Sequence, residues 1–236
     1  MAIEATGVLP VGERVEFTGA SRPEPGILHG RHVLLRPVDP EHDAEPLFAA
    51  TDPPDGDPQI WTYMYEGPYA SAGDLRADLE RQSRSDDPLF FTVVAIPGEV
   101  PRGIVSYLAI VPEHGTIEIG NIWFARALQR TTGATEAIFL LARHAFDDLG
   151  YRRLEWKCNA LNGASRAAAI RFGFHFEGIF AQHRVVKGRN RDTAWFAITD
   201  VRWPALRTAF ETWLSPDNFD HNGAQRRSLS ELTRAI

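Results

Sequence analysis

Apolar positions along this chain alternate in some stretches and recur at helical spacing in others, and the switches predict an order of elements. Arg31 to Val38 (RHVLLRPV) reads as a first strand. Helical patterns follow over 41–51 and 72–84, separated by a Pro/Gly/Asp-rich loop that carries Trp61, Tyr63, Tyr65 and Tyr69. Three strands are then expected at Phe90–Ile96, Gly103–Val111 and Thr116–Phe124, and the turn signals PGEVPR and PEHG between them favour antiparallel hairpins. Ala134, Ala137, Ile138, Leu141, Ala145 and Leu149 form a stripe that predicts a helix from about Thr132 to Leu149, with Gly150 as its stop. Arg152–Cys158 is the next strand, and Asn162 to Phe172 is a second helix with Asn162 as its cap candidate. Gly173–Val186 reads as strand, KGRNR as a turn and Asp192–Thr199 as the last strand. A terminal helix over Arg202–Leu214 carries Trp203, Leu206, Phe210 and Trp213.

This order predicts an α/β (α+β) domain over 31–200: a mixed, mainly antiparallel central sheet with helices on both faces. The Gly/Pro-rich residues 1–30 form an extended N-terminal arm, and 201–236 comprise the terminal helix and a polar tail expected to be mobile from Ser215.

Composition narrows the function classes. A net charge of -6 argues against non-specific nucleic-acid binding. The single cysteine, Cys158, excludes a disulfide framework and a cysteine-based zinc site, and its alternation with Leu154 and Trp156 marks it as a core residue. The first residues lack a basic start and a long apolar run, and no apolar stretch is long enough to span a membrane, so a cytoplasmic location is the expectation. There is no Gly-Lys-Ser/Thr loop, no G-x-G-x-x-G after the first strand, no G-x-S-x-G elbow and no His/Asp cluster suited to a metal.

The stretch Glu118 to Ala137, EIGNIWFARALQRTTGATEA, carries the most chemistry. It predicts a strand that runs into a loop and opens a helix at a Thr/Gly-rich turn. The first turn of a helix has unpaired N–H groups and the positive end of the macrodipole, which together suit a pyrophosphate.

With these elements in place, the chain resembles the GNAT acetyltransferase superfamily over roughly residues 28–200. The branch it resembles is typified by bacterial ribosomal-protein N-terminal acetyltransferases. Members of that branch commonly carry Gln-Gly-x-Gly, two residues and Thr-Glu-Ala. Here the run is Gln129-Arg130-Thr131-Thr132-Gly133-Ala134-Thr135-Glu136-Ala137, so Thr135-Glu136-Ala137 matches while Arg130 and Thr132 replace both signature glycines. The segment YRRLEWKCNALNGASRAAAIRFGFHFEGIF also matches, with Asn162, Ser165-Arg166 and Gly173-Phe174 at the branch's spacing.

The resemblance implies transfer of an acyl group from acetyl-CoA, as co-substrate, to a primary amine on a small molecule or a protein N-terminus. Ile122, Trp123 and Phe124 would splay from the Arg152–Cys158 strand and pair with the pantetheine, while Gln129, Arg130, Thr131, Thr132, Gly133, Ala134 and Thr135 would hold the pyrophosphate. Asn162 would reach the pantetheine arm, as a helix cap or in both roles. Glu118 is the candidate general base, against the plainer reading of a strand carboxylate paired with a neighbouring arginine. His114, His183 and Glu177 are weaker candidates. Many GNAT enzymes place a proton-donating tyrosine where this chain has Ala169, and Ser165 is the replacement acid that the branch suggests. The aromatic loop would help form the acceptor site or simply pack, and Lys187, Arg189 and Arg191 would read an anionic acceptor or, on the plainer reading, form a solvated turn. A non-catalytic CoA-binding protein on the same fold and a succinyl-CoA-dependent enzyme are the alternatives. A homodimer is compatible with the arm and the apolar terminal helix.

Overall fold

The computed structural model describes residues 9–51, 56–234 and 236. Among them, eight strands form one sheet: Leu28–His29 (β1), Val33–Pro37 (β2), Leu89–Ala95 (β3), Val100–Val111 (β4), Thr116–Phe124 (β5), Arg153–Asn159 (β6), His175–Val186 (β7) and Arg189–Thr199 (β8). Their spatial order is β1-β2-β3-β4-β5-β6-β8-β7. Every neighbouring pair is antiparallel except β5 and β6, which run parallel. The helix between those two strands, Thr132–Arg143 (α3), supplies the crossover that a parallel pair requires.

The helices Pro40–Thr51 (α1) and Ala72–Ser83 (α2) cover one face of the sheet. There Leu47, Leu75 and Leu79 pack with Trp61, Ile104 and Trp123. The larger core lies on the opposite face, between the sheet, α3 and the helix Trp203–Leu214 (α5). Every residue of α3 from Gly133 to Ala142 is buried, as expected of a helix that is apolar nearly all round. The one acid in that run is Glu136, 6% exposed, and its carboxylate accepts the backbone N–H groups of Arg31, His32 and Val33 at 2.9, 2.6 and 3.0 Å. The Thr135-Glu136-Ala137 match thus has a structural role: it ties α3 to the start of β2.

Several boundaries differ from expectation, each for a local reason. The predicted continuous helix from Thr132 to Leu149 changes to a π turn over His144–Asp148. The expected KGRNR turn shrinks to Lys187 and Gly188, whose φ values of 48° and 71° suit a two-residue hairpin loop and leave Arg189 free to start β8. Part of the N-terminal arm is a strand, β1, and Ala20 and Ser21 donate N–H groups to Pro112 and Leu149 at 3.0 and 2.8 Å. Residues 1–8 of the arm lie outside the described residues.

The tail from Ser215, expected to be mobile, is packed. Asn218 is 7% exposed and donates to the carbonyls of Trp213 and Arg227. Trp213 Nε1 donates to Gln225 at 2.8 Å, and Leu229, fully buried, opens a last helix over Leu229–Arg234 (α6). A few apolar anchors and one buried amide that satisfies the backbone outweigh the tail's overall polarity. No helix is long and apolar enough to cross a membrane among the described residues.

Candidate functional site

β5 and β6 pair at Thr116–Arg153, Ile117–Leu154 and Glu118–Glu155, and no further. Beyond Glu118 the two strands part. A bulge helps to turn β5 away: the pairing with β4 passes from Ser106–Gly120 to Ile104–Trp123, leaving an extra residue, Asn121, at φ 51°. The parting opens a cleft of about 1130 Å³ that runs from the first turn of α3 to the helix Gly163–Arg171 (α4).

Most of the predicted cofactor-site residues meet there. Ile122, Trp123 and Phe124 line one wall, and Gln129, Arg130, Thr131, Thr132, Ala134 and Thr135 line the end at α3. Asn162 and Ser165 stand on the α4 side. Gly133 does not line the cleft. A Cβ at that position would sit 2.9 Å from Val33 and 3.3 Å from Leu128, so its missing side chain serves the close packing of α3 on the sheet.

The α3 terminus pairs a side-chain cap with backbone N–H groups that have no partner inside the helix. Thr131 accepts the N–H of Ala134 through its hydroxyl at 3.2 Å and donates to Leu128 at 2.7 Å, so its side chain is committed to the helix start. The N–H groups of Thr132 and Gly133 precede the intrahelical ladder, and Thr132 lines the cleft end. Arg130 stands where the signature has glycine and keeps a left-handed φ of 62°. The loop therefore retains the glycine-type conformation with an arginine side chain added. Gln129 Nε2 donates to the Phe124 carbonyl at 2.8 Å, so its side chain braces the loop on β5.

Asn162 caps α4 by accepting the N–H of Ser165 at 3.0 Å. Ser165 Oγ in turn accepts Trp156 Nε1 at 3.0 Å, and its hydroxyl hydrogen is within reach of the Cys158 sulfur. Cys158 is 6% exposed, and burial pushes its thiol above the ordinary value, as befits a core residue. Sequence reasoning missed Arg171, Trp213, Phe219 and Gln225, which also line the cleft. Arg171 donates to Thr135 at 3.0 Å and lies 4.9 Å from the Trp213 ring, with burial lowering its pKa. Nothing in their local spacing signals this wall, because it forms where the tail meets α4.

Glu118 is 6% exposed and lies outside the residues that line the cleft, just below the point where the strands part. Its partner is Lys157 at 2.8 Å rather than a neighbouring arginine. Lys157 also meets Glu155 at 2.6 Å and sits 4.2 Å over the Trp195 ring, and Glu155 continues to Arg153 at 2.7 Å. Burial pushes the Glu118 carboxyl up from the ordinary value of 4.5, and Lys157 offsets part of that rise. Of the weaker candidates, Glu177 is committed to Arg153 at 2.8 Å, and His183 is 3.0 Å from the Thr193 hydroxyl.

The aromatic loop both packs and forms a cavity. Trp61 packs at a tilt against Trp123, ring centroids 5.1 Å apart at 51°, and meets Tyr69 edge-on at 5.2 Å. Beside them is a cavity of about 50 Å³ lined by Tyr65, Glu66, Gln82 and Asn121 as well as Trp123. Trp123 is thus shared by both spaces. Lys187 is not a solvated turn residue: its ammonium donates to the carbonyls of Trp61, Glu66 and Gly67 at 3.2, 3.2 and 2.6 Å and clamps the loop onto the β7–β8 turn.

The profile of the acetyltransferase (GNAT) domain matches residues 32–175. A GCN5-related N-acetyltransferase from Brucella melitensis is 46% identical, with 93% of this chain and 99% of that chain covered and a TM-score of 0.90. A protein named as a probable acetyltransferase of the GNAT family from Chromobacterium violaceum is 38% identical over 84% of this chain and 98% of its own, at a TM-score of 0.76. An acetyl transferase from Salmonella typhimurium that modifies the N-terminal serine of a 50S ribosomal subunit protein shares the fold at 21% identity, covering 74% of this chain and 99% of that one, at a TM-score of 0.62. A search among curated proteins finds no match. The matched domain, the split between β5 and β6 and the cradle at α3 lead to one conclusion: this chain belongs to the GNAT acetyltransferase family of acyl-CoA-dependent N-acyltransferases.

Proposed function

We propose that this protein moves the acetyl group of acetyl-CoA onto a primary amine by direct attack, within the cleft between β5 and β6. The observation that carries the reading is the end-to-end chemistry of that cleft. It has helix N–H groups and Arg130 at one end, unpaired β5 backbone in the middle and the Ser165 hydroxyl at the far wall. These suit, in order, a pyrophosphate, an extended amide-containing arm and a departing sulfur.

The residues of the chain divide the work. Thr132 and Gly133 bind phosphate through N–H groups while Arg130 adds charge. The β6-facing backbone of Ile122 to Phe124 pairs with the pantetheine and polarises the thioester carbonyl. Asn162 uses its amide N–H₂ on the same arm, its oxygen being held by Ser165. Glu118 takes the proton of the amine through water, since it does not itself line the cleft. Its burial raises its basicity, and Lys157 offsets part of that rise. As the new C–N bond forms and the C–S bond breaks, Ser165 hydrogen-bonds the thiolate and relays it a proton from water.

The test is thiol release from acetyl-CoA with a panel of primary amines, alongside melting curves with acetyl-CoA, succinyl-CoA and free CoA. Ligand at about a hundred times Kd should add about 2.7 kcal/mol of stability. Glu118→Gln should lower kcat about 10²–10⁴-fold and leave acetyl-CoA binding intact. Absence of both stabilisation and turnover would remove the enzymatic reading. Full turnover by Glu118→Gln would remove the base assignment alone.

A further inference from the structure

On β8, Arg191 was expected to point into solvent beside Lys187 and Arg189. It is instead 8% exposed, and its Nε is buried without a hydrogen-bond partner. No carboxylate forms an ion pair with it among the described residues. Its guanidinium lies 5.2 Å over the ring of Tyr65. Stacking on an aromatic face returns part of the cost of desolvation, but a ring offers none of the in-plane acceptors that a guanidinium fork requires. Across the hairpin, Arg191 is paired in register with Arg184, a second cation. A buried guanidinium with an unfilled fork, beside like charge, calls for an anion.

The surroundings say which anion. Along β8, Arg191 shares a sheet face with Thr193 and Trp195, and Trp195 carries Lys157, the partner of Glu118. Its charge reaches Glu118, where it adds to the effect of Lys157. On its other side, Tyr65 lines the small aromatic cavity that shares Trp123 with the acetyl-CoA cleft. Arg191 itself lines neither space, so an anion that reaches its fork would come in beside Tyr65, on the side of the aromatic cavity. A carboxylate is the compact anion that matches such a fork bidentately.

We propose that Arg191 is the acceptor-specificity residue and that it binds a carboxylate carried by the amine substrate, so that the acceptor is an amino-acid-like amine with an aromatic or apolar side chain. This rests on the acetyl-transfer reading above.

The experiment uses matched pairs that differ only in the carboxylate. Binding of N-acetylphenylalanine and N-acetylphenethylamine to the CoA-saturated full chain is measured by calorimetry, and turnover of phenylalanine and phenethylamine with acetyl-CoA is followed in parallel. In the wild type the carboxylate-bearing member of each pair should be preferred about 10–100-fold. Arg191→Gln should abolish the preference without changing CoA affinity. Arg191→Lys, which keeps a charge but loses the fork, should keep a smaller one. The ratio within a pair is independent of how much variant protein is folded, so lost stability cannot imitate lost recognition. Equal treatment of the pair by the wild type, or an unchanged preference in Arg191→Gln, overturns the proposal. A preference in binding without acetylation of any amine leaves the carboxylate site standing and removes the acetyl-transfer reading. Acetylation indifferent to the carboxylate does the reverse.

Discussion

Glu136→Gln should cost this protein about 3 kcal/mol. The carboxylate of Glu136 receives three backbone N–H groups, one on Oε1 from Arg31 and two on Oε2 from His32 and Val33. A glutamine of the same length can keep its oxygen where Oε2 stands. Two bonds then survive as neutral bonds, each weaker by about 1 kcal/mol than with a charged acceptor. The amide N–H₂ falls against the Arg31 N–H, so that donor loses its acceptor at a further cost of about 1–2 kcal/mol, moderated by the exposure of Arg31. For a domain of this size, about 3 kcal/mol lowers Tm by about 6–12 °C. Urea denaturation read by tryptophan fluorescence measures the change, with the slope m checked for constancy. Because Glu136 holds the start of β2 against α3, the same variant should also lose part of its stabilisation by acetyl-CoA. A second variant tests the geometry independently. A Cβ at Gly30 would sit 2.5 Å from Oε2 and 2.7 Å from the Val33 carbonyl oxygen, so Gly30→Ala should displace the same carboxylate along with that backbone, and its cost should be less than additive with Glu136→Gln by the share that falls on the carboxylate. A loss below about 1 kcal/mol for Glu136→Gln, or full additivity of the pair, would refute the anchor.

Other outcomes follow from the cleft. Ser165→Ala should slow thiolate departure about tenfold and lower stability by about 1–3 kcal/mol, because Trp156 Nε1 loses its acceptor; unchanged kcat in steady state and in a single turnover would exclude the role at the sulfur. Arg130→Gly should raise stability by about 1 kcal/mol by relieving a left-handed arginine, yet weaken acetyl-CoA binding by about fivefold through the lost charge; a drop in Tm would contradict the strain. In the wild type, kcat/KM should fall as pH is lowered through the Glu118 pKa, since a protonated carboxyl cannot accept the amine's proton. Burial raises that pKa, so the limb should sit above 4.5 and be missing in Glu118→Gln, and an identical acid limb in that variant would assign it to another group.

What could be read along the chain was whatever a few neighbouring residues decide. β3, β4 and β5 lie within a few residues of their predicted spans, since alternation and turn chemistry are local. Asn162 caps α4 as its residue type suggests, and the Thr/Gly-rich run opens α3 with Thr131 as its cap. The aromatic loop was visible as composition, but its cavity was not, because the clamp on it is Lys187, 126 residues from Trp61.

The amino-acid order by itself determined the succession of elements, the crossover helix and the N–H cradle at its start, because periodicity, caps and helix ends act over one or two turns. Only the tertiary structure decided which groups meet. Pairing between β5 and β6 stops at Glu118, and that places the cleft. Lys157 rather than an arginine answers Glu118 from a strand 39 residues away. The polar tail closes over α4 to add Trp213 and Gln225 to the cleft wall, and Arg191 turns inward under Tyr65. Such partners are chosen by desolvation, which penalises any buried charge or amide that the fold does not satisfy, and that penalty depends on residues far apart in sequence and adjacent only in the folded chain.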